Sequence, residues 1–307
     1  MTGHQQVLSM PHLGGIEVGY KLLPETPHPS KPTLVLFNPF TTTSDYYQPE
    51  FENRDIREAV NLLAIEPLGH GRTQARIAEN WTYWDSAIMS LQLLDALNID
   101  KAFVSGTSQG GWIAMRMALL APETVLGVIA IGSSMDSESA RSRELGCWDG
   151  PTATSGLVTL GADLAPADDF EPGNDYRDFL MDIGYGKTVE DSVKVFWGES
   201  LKANYAGDEG KRRICMAAVT LASRDSLHAR LPYVRCPVLW LQGTGDVVFS
   251  FANAEEEIEL FTNSASARLV RCEGGVHFLS YTHTEIIHRE LLEFIAKWKK
   301  DGLRAGL

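Results

Sequence analysis

Residues 104–112 read VSGTSQGGW, and three glycines in this stretch surround one serine, Ser108. An apolar run precedes the stretch and a second one follows it at once. This pattern predicts a tight turn between a β-strand and an α-helix. A side chain at Gly106 or Gly110 would collide with the neighbouring element in such a turn. The turn would push Ser108 beyond the end of the strand, and the first N–H groups of the helix would point toward whatever binds it.

The composition is that of a soluble globular protein. The chain has 307 residues, of which 44% are hydrophobic and 22% are charged, and this length predicts one large α/β domain or a core domain with an insertion. The net charge of −13 argues against nucleic acid and anionic membranes as partners, because both are bound by Lys and Arg. The sequence lacks the pattern of a secretory signal and a long apolar run. We therefore expect a cytoplasmic protein.

Four cysteines are present, and their spacing indicates neither a redox pair nor a zinc site: Cys147, Cys215, Cys236 and Cys272. No CxxC pair occurs among them. We expect reduced thiols, as in most cytosolic proteins. The sequence predicts no metal and no cofactor, and it leaves the oligomeric state open, a homodimer included.

Short apolar runs alternate with helical stripes along the chain. The runs predict strands over residues 16–20, 34–37, 61–65, 102–104, 125–131, 237–241 and 268–272. Helical spacing of apolar residues predicts helices over residues 83–97, 112–120, 254–261 and 285–298. Runs that are apolar on both sides suit parallel strands covered by helices on each face. The alternation therefore predicts an α/β fold, with a mostly parallel sheet and helices on both faces.

One long segment breaks this alternation. Residues 135–234 hold few strand-like runs, and they include helical segments over 192–205 and 211–223. We interpret 135–234 as an inserted, mostly helical cap. The core domain would then comprise residues 1–134 and 235–307.

Ser108 needs partners if its hydroxyl is to act as a nucleophile. A base must take the hydroxyl proton, and a third group must orient that base. Asp246 comes just after the predicted strand 237–241, and His277 comes just after the predicted strand 268–272. Ligands bind at these carboxyl edges of strands in open α/β sheets. The order Ser108, Asp246, His277 therefore predicts a catalytic triad.

Other residues compete for two of these roles. Asp136 follows the preceding strand and is the rival for the role of the acid, although position along the chain favours Asp246. Four further histidines compete with His277 as the base: His70, His228, His283 and His288. None of the four has the position after a strand that the role requires.

Several motifs together resemble those of a known superfamily. Gly106–Gly110 fits the G-x-S-x-G nucleophile elbow. Leu68–Thr73 reads LGHGRT and is similar to the superfamily's turn after its fourth strand, with Glu66 where an aspartate is usual. With the Ser–Asp–His order, the chain resembles the α/β-hydrolase fold superfamily over nearly its whole length. The resemblance implies a sheet of the eight-stranded type, a helical cap and a serine hydrolase of the esterase or lactonase kind.

The resemblance also implies an oxyanion hole, the pair of N–H groups that stabilises the negative oxygen of a tetrahedral intermediate. The superfamily places one donor in the loop after the third strand, commonly preceded by His-Gly, and this chain has Asn38-Pro39-Phe40 there. Proline has no N–H, so the resemblance implies the backbone N–H of Phe40. The second donor would be the backbone N–H of Gln109, directly after the nucleophile.

The expected activity is hydrolysis of an uncharged, apolar carboxylic ester or lactone through an acyl-enzyme on Ser108. Aromatic residues of the cap would form apolar walls of the pocket: Trp148, Trp197 and Tyr205. The resemblance leaves other activities open, because related proteins share the triad. These are a carbon–carbon bond hydrolase, a cofactor-free haloperoxidase, an acyltransferase and a small-molecule receptor with slow turnover.

Overall fold

The computed structural model describes residues 3–76, 78–163, 165–187 and 189–303. Its strands are β1 (Gln5–Met10), β2 (Ile16–Leu23), β3 (Thr33–Phe37), β4 (Asn61–Ile65), β5 (Gln74–Ala75), β6 (Ala102–Thr107), β7 (Val125–Ile131), β8 (Val238–Gly243) and β9 (Ala267–Cys272). Its α-helices are α1 (Gln48–Glu52), α2 (Arg54–Ala59), α3 (Tyr83–Ala96), α4 (Gln109–Leu120), α5 (Ala140–Glu144), α6 (Gly150–Gly161), α7 (Asn174–Tyr185), α8 (Asp191–Tyr205), α9 (Gly207–Ala222), α10 (Phe251–Ile258), α11 (Leu279–Thr282) and α12 (Thr284–Leu303). Short 3₁₀ helices cover His12–Gly14, Ser44–Tyr47 and His228–Tyr233.

The strands form a single sheet whose order is β1-β2-β4-β3-β6-β7-β8-β9, with the two-residue β5 paired to β2. β1 and β2 pair antiparallel, and so do β2 and β4. Every neighbouring pair from β4 across to β9 is parallel. The predicted α/β fold with a mostly parallel sheet is therefore confirmed.

Side chains of the central strands alternate between two hydrophobic clusters, one on each face of the sheet. Along β3, Val35 and Phe37 join the cluster that also contains Ile113 of α4. Leu34 and Leu36 join the opposite cluster, which contains residues of α12. Successive side chains of a strand point to opposite faces, so a continuous apolar run is needed wherever helices cover both faces.

Differences from the predicted elements lie mainly at their ends. The predicted helix over 112–120 begins earlier, at Gln109, because the glycines of the elbow form its first turn. β1 was not predicted, since Gln5, Gln6 and Ser9 leave it few apolar residues. Residues 1–2 and 304–307 of the predicted core lie outside the described residues.

Helices α5 to α9 follow one another between β7 and β8. α6 and α9 pack closely, since a Cβ on Gly161 would lie 2.8 Å from the Cβ of Cys215. A buried ion pair joins Glu138, before α5, to Arg224, after α9, so the two chain ends of this helical segment lie side by side. No helix in the described part of the chain combines the length and the apolar character that crossing a bilayer requires.

Candidate active site

Ser108 occupies a strained turn between β6 and α4. Its φ of 55° and ψ of −120° place a non-glycine residue in a region that the surrounding structure must enforce. A Cβ on Gly106 would lie 2.0 Å from the carbonyl carbon of Gly110, and a Cβ on Gly110 would lie 2.0 Å from the carbonyl oxygen of Phe37. The hydroxyl of Ser133 donates to the carbonyl of Ser108 at 2.9 Å. The glycines are therefore needed for the close approach that places the Ser108 side chain at the wall of a cavity.

His277 and Asp246 form a hydrogen-bonded pair in the loops after β9 and β8. Nδ1 of His277 lies 2.9 Å from Oδ2 and 3.1 Å from Oδ1 of Asp246. Oδ1 also accepts the N–H groups of Val248 and Phe249, at 2.8 and 3.1 Å. Oδ2 accepts a hydrogen bond from Nε2 of Gln242 at 2.9 Å. These donors fix the carboxylate against Nδ1–H, which leaves Nε2 of His277 as the basic nitrogen.

Ser108 and His277 border the same cavity, which has a volume of about 380 Å³. Both residues are buried, with 7% and 3% of their surfaces exposed. The cavity lies between the sheet edge and the cap helices, and its other walls are mainly apolar: Phe40, Trp148, Leu157, Phe179, Ile183 and Phe278. A substrate in this cavity would meet the serine and the imidazole in apolar surroundings.

Phe40 and Gln109 lie beside Ser108. Phe40 is part of the cavity wall, and Gln109 is the first residue of α4. The Gln109 side chain donates from Nε2 to the carbonyl of Asn38 at 3.3 Å and accepts the Tyr83 hydroxyl at 3.0 Å. It thus ties α4 to the loop that carries Phe40. No pattern in the sequence signals this use of the side chain, because it depends on the two segments being close in space.

His70 contacts the same glutamine. Its Nε2 lies 3.0 Å from Nε2 of Gln109, and its Nδ1 lies 3.0 Å from the carbonyl of Leu68. Because the Gln109 amide donates, Nε2 of His70 accepts and Nδ1 carries the proton. Burial lowers the pKa of His70 from 6.5 to about 4. His70 is therefore a neutral packing residue that holds Gln109 in place.

This neutral histidine makes folding sensitive to acid. Below pH 6.5 the unfolded chain binds a proton at His70. The folded chain binds that proton only when the pH approaches the folded pKa of about 4. The free energy of unfolding is therefore expected to fall by about 3 kcal/mol from this residue alone between about pH 7.5 and about pH 4. Urea unfolding of the wild type and of His70→Asn at both pH values measures this, because the other titrating groups are common to both proteins. The free energy of unfolding of the wild type relative to that of His70→Asn should be smaller at about pH 4 than at about pH 7.5. A difference that is the same at both pH values would contradict the expectation.

The competing residues have other partners. The Asp136 carboxylate accepts the N–H groups of Ser137 and Ser139, at 2.8 and 3.4 Å. His228 pairs with Glu257 at 2.7 Å. The remaining two lie near the last helix, where His283 contacts the carbonyl of Glu273 and His288 contacts the amide of Asn53. Of the predicted histidines and aspartates, the structure brings His277 and Asp246 together.

The cap aromatics divide into two groups. Trp148 lines the cavity, whereas Trp197 and Tyr205 are absent from the described lining. Trp197 donates to the hydroxyl of Tyr185 at 2.7 Å, and Tyr205 donates to the carbonyl of Gly69 at 3.0 Å. The predicted pocket role of Trp197 and Tyr205 is thus corrected to packing of the cap. Tyr176 and other lining residues were missed, because the sequence does not show which face of each cap helix turns toward the cavity.

Known proteins share this architecture. A sequence profile described as "alpha/beta hydrolase fold" matches residues 32–148. The solved structure of an enol-lactonase from Burkholderia xenovorans superposes with a TM-score of 0.75 at 18% identity, covering 94% of this chain and 100% of that one. The chain has the α/β-hydrolase fold. The solved structure of a thermophilic esterase from Thermogutta terrifontis, 15% identical, also gives a TM-score of 0.75, and the match covers 96% of this chain and 98% of that one.

Curated relatives of this chain are named as hydrolases. One, from Pseudomonas savastanoi, is named "Putative carbamate hydrolase RutD" and is 24% identical over 274 residues, which are 87% of this chain and 95% of the relative. Another, 3-oxoadipate enol-lactonase 1 from Acinetobacter baylyi, is 25% identical over 226 residues, which are 73% of this chain and 75% of the relative. The names of these relatives support a hydrolase.

Proposed function

We propose that this protein is a serine hydrolase, which cleaves an uncharged, apolar carboxylic ester or lactone through an acyl-enzyme on Ser108. One observation carries the proposal. The serine of a strained elbow and the imidazole held by Asp246 border one apolar cavity. An activated alcohol in such surroundings suits acyl transfer from a neutral substrate.

The proposed reaction has two steps. Nε2 of His277 takes the proton of Ser108 as Oγ bonds to the acyl carbon, and Asp246 stabilises the imidazolium. The N–H groups of Phe40 and Gln109 bind the oxyanion, which then collapses as His277 protonates the leaving alcohol. Water, deprotonated by His277, attacks the acyl-enzyme and releases the acid. In a lactone the alcohol remains attached, so the product is a hydroxy acid.

The wall chemistry supports a neutral substrate. The lining residues of the described cavity include no Asp, Glu, Lys or Arg. The other polar groups are already bonded within the protein: Trp148 donates to Glu138, and the Thr154 hydroxyl donates to the carbonyl of Gly150. A charged substrate group would lose its hydration here without a compensating partner. The bonds named for two relatives, an enol-lactone and a methyl ester, fit an ester or lactone as the group that is cleaved.

Covalent labelling of the wild-type protein tests the proposal. A fluorophosphonate is expected to modify Ser108, and mass spectrometry of the tryptic peptide spanning residues 102–116 locates the label. Neutral p-nitrophenyl esters and neutral lactones should turn over, whereas esters that carry a carboxylate should react at least about ten-fold more slowly, a difference of about 1.4 kcal/mol.

Heat-denatured protein is the control for labelling, because it has the same serines without the site. Equal labelling of folded and denatured protein would contradict the proposal, and so would a label on another residue. Turnover slower than about one per minute across the panel, against a typical enzyme value near 10 per second, would favour a receptor on this fold instead.

A further inference from the structure

Tyr176 of cap helix α7 contacts the loop that carries Phe40. Its hydroxyl lies 2.7 Å from Oγ1 of Thr41. That Oγ1 in turn donates to the carbonyl oxygen of Phe40 at 2.9 Å. A threonine hydroxyl has one proton, so the hydroxyl of Tyr176 is the donor in the first bond. A chain of two hydrogen bonds therefore runs from the cap to the backbone of Phe40.

Thr41 has an unusual backbone conformation. Its φ is 55°, which is rare for a β-branched residue and persists only where the surroundings hold it. Other bonds hold the loop from inside the core, where Asn38 donates to the carbonyl of Thr42 at 2.8 Å. The hydroxyl of Tyr176 is the contact that reaches Thr41 from the cap. Thr41 is buried and Tyr176 is half-buried at the cavity wall, so the bond is partly shielded from solvent.

We propose that Tyr176 is a positioning residue, which aims the N–H of Phe40 at the oxyanion by holding Thr41. The inference rests on the proposed function, because it requires an oxyanion at Ser108. Tyr176 acts through Thr41 and takes no part in proton transfer. The cap thus contributes to the alignment of the oxyanion hole as well as to the walls of the cavity.

Tyr176→Phe removes only the hydroxyl, and Tyr185→Phe is a matched control. Tyr185 lies on the same helix, and its hydroxyl accepts Nε1 of Trp197 inside the cap. Loss of one oxyanion donor costs about 10²–10³ in kcat, so a misaimed donor in Tyr176→Phe is expected to cost about 10-fold or more in kcat with KM little changed. Tyr185→Phe should leave kcat and KM close to the wild-type values. Thermal unfolding of both variants shows whether each is folded.

An inhibitor that forms an oxyanion separates positioning from simple packing. A trifluoromethyl ketone bonds through its carbonyl carbon to Oγ of Ser108, with the proton passing to His277 and the negative oxygen in the oxyanion hole. Tyr176→Phe should weaken this inhibitor by about the factor lost in kcat/KM, as transition-state binding requires. The alcohol of the same carbon skeleton forms no oxyanion, and its affinity should not change.

Thr41→Val tests whether the tyrosine acts through Thr41, because valine keeps the branched shape without the hydroxyl. The double variant Tyr176→Phe/Thr41→Val should be no slower than Thr41→Val alone. Additive losses would overturn the inference by indicating direct contact of the tyrosine with the substrate. Wild-type kcat in Tyr176→Phe would also overturn it while leaving the proposed function intact. A wild-type protein that neither labels nor turns over would overturn both.

Discussion

Ser108→Ala is expected to lower kcat for ester hydrolysis by a factor on the order of 10⁶, because the variant has no nucleophile for the acyl carbon. The elbow should keep its shape, since alanine is smaller than serine and the close contacts at this turn are made by Gly106 and Gly110. Steady-state kinetics on a neutral p-nitrophenyl ester measures the loss. Fluorophosphonate labelling of the variant should be absent as well.

Ser105→Ala is the matched control for this change. Ser105 lies on β6, the strand that leads into the elbow, is fully buried and has an Oγ without a hydrogen-bond partner among the described residues. Removing an unpaired buried hydroxyl leaves no donor or acceptor stranded. Activity should therefore stay at the wild-type level in Ser105→Ala. Similar losses of kcat in Ser108→Ala and Ser105→Ala would indicate a general disturbance of β6 and would contradict the assignment of Ser108 as the nucleophile.

Asp246→Asn is expected to lower kcat by a factor on the order of 10⁴, through the wrong tautomer of the histidine. The N–H groups of Val248 and Phe249 donate to Oδ1, so the amide oxygen of an asparagine would occupy that side. Its NH₂ group would then face Nδ1 of His277. Nδ1 would have to accept, the ring proton would move to Nε2, and the histidine could no longer take a proton from Ser108.

Asp136→Asn is the control, because Asp136 is the rival acid. Its carboxylate accepts backbone N–H groups of its own loop rather than contacting His277. Kinetics of Asp136→Asn should match the wild type, with circular dichroism confirming that both variants are folded. A large loss in Asp136→Asn together with an active Asp246→Asn would transfer the role of the acid to Asp136.

The fold could be predicted because its signals are local. The apolar runs of the central strands and the stripe of α3 can be read within short windows of sequence. The turn at Ser108 is likewise encoded by neighbours, since Gly106 and Gly110 are separated by only four positions and meet across the elbow. β1 was not predicted, because its sequence is only weakly apolar and its place in the sheet comes from pairing with β2.

Features of the cap could not be predicted in the same way. Trp148 and Trp197 look alike in the sequence, yet one lines the cavity and the other is bonded inside the cap. The bond from Tyr176 to Thr41 joins positions 135 residues apart. Such contacts depend on how each helix is rotated and docked against the core, and no short window of sequence records that rotation.

The α/β sheet, the elbow at Ser108 and the chain order of the candidate triad follow from local sequence patterns, because strand burial and tight turns are set by neighbouring residues. The folded arrangement was needed to show that Asp246 rather than Asp136 contacts His277, and which aromatic side chains enclose the cavity. It also decided that Gln109 and Tyr176 brace the loop of Phe40. Those outcomes rest on contacts between distant segments, whose geometry exists only after the helices have packed on the sheet.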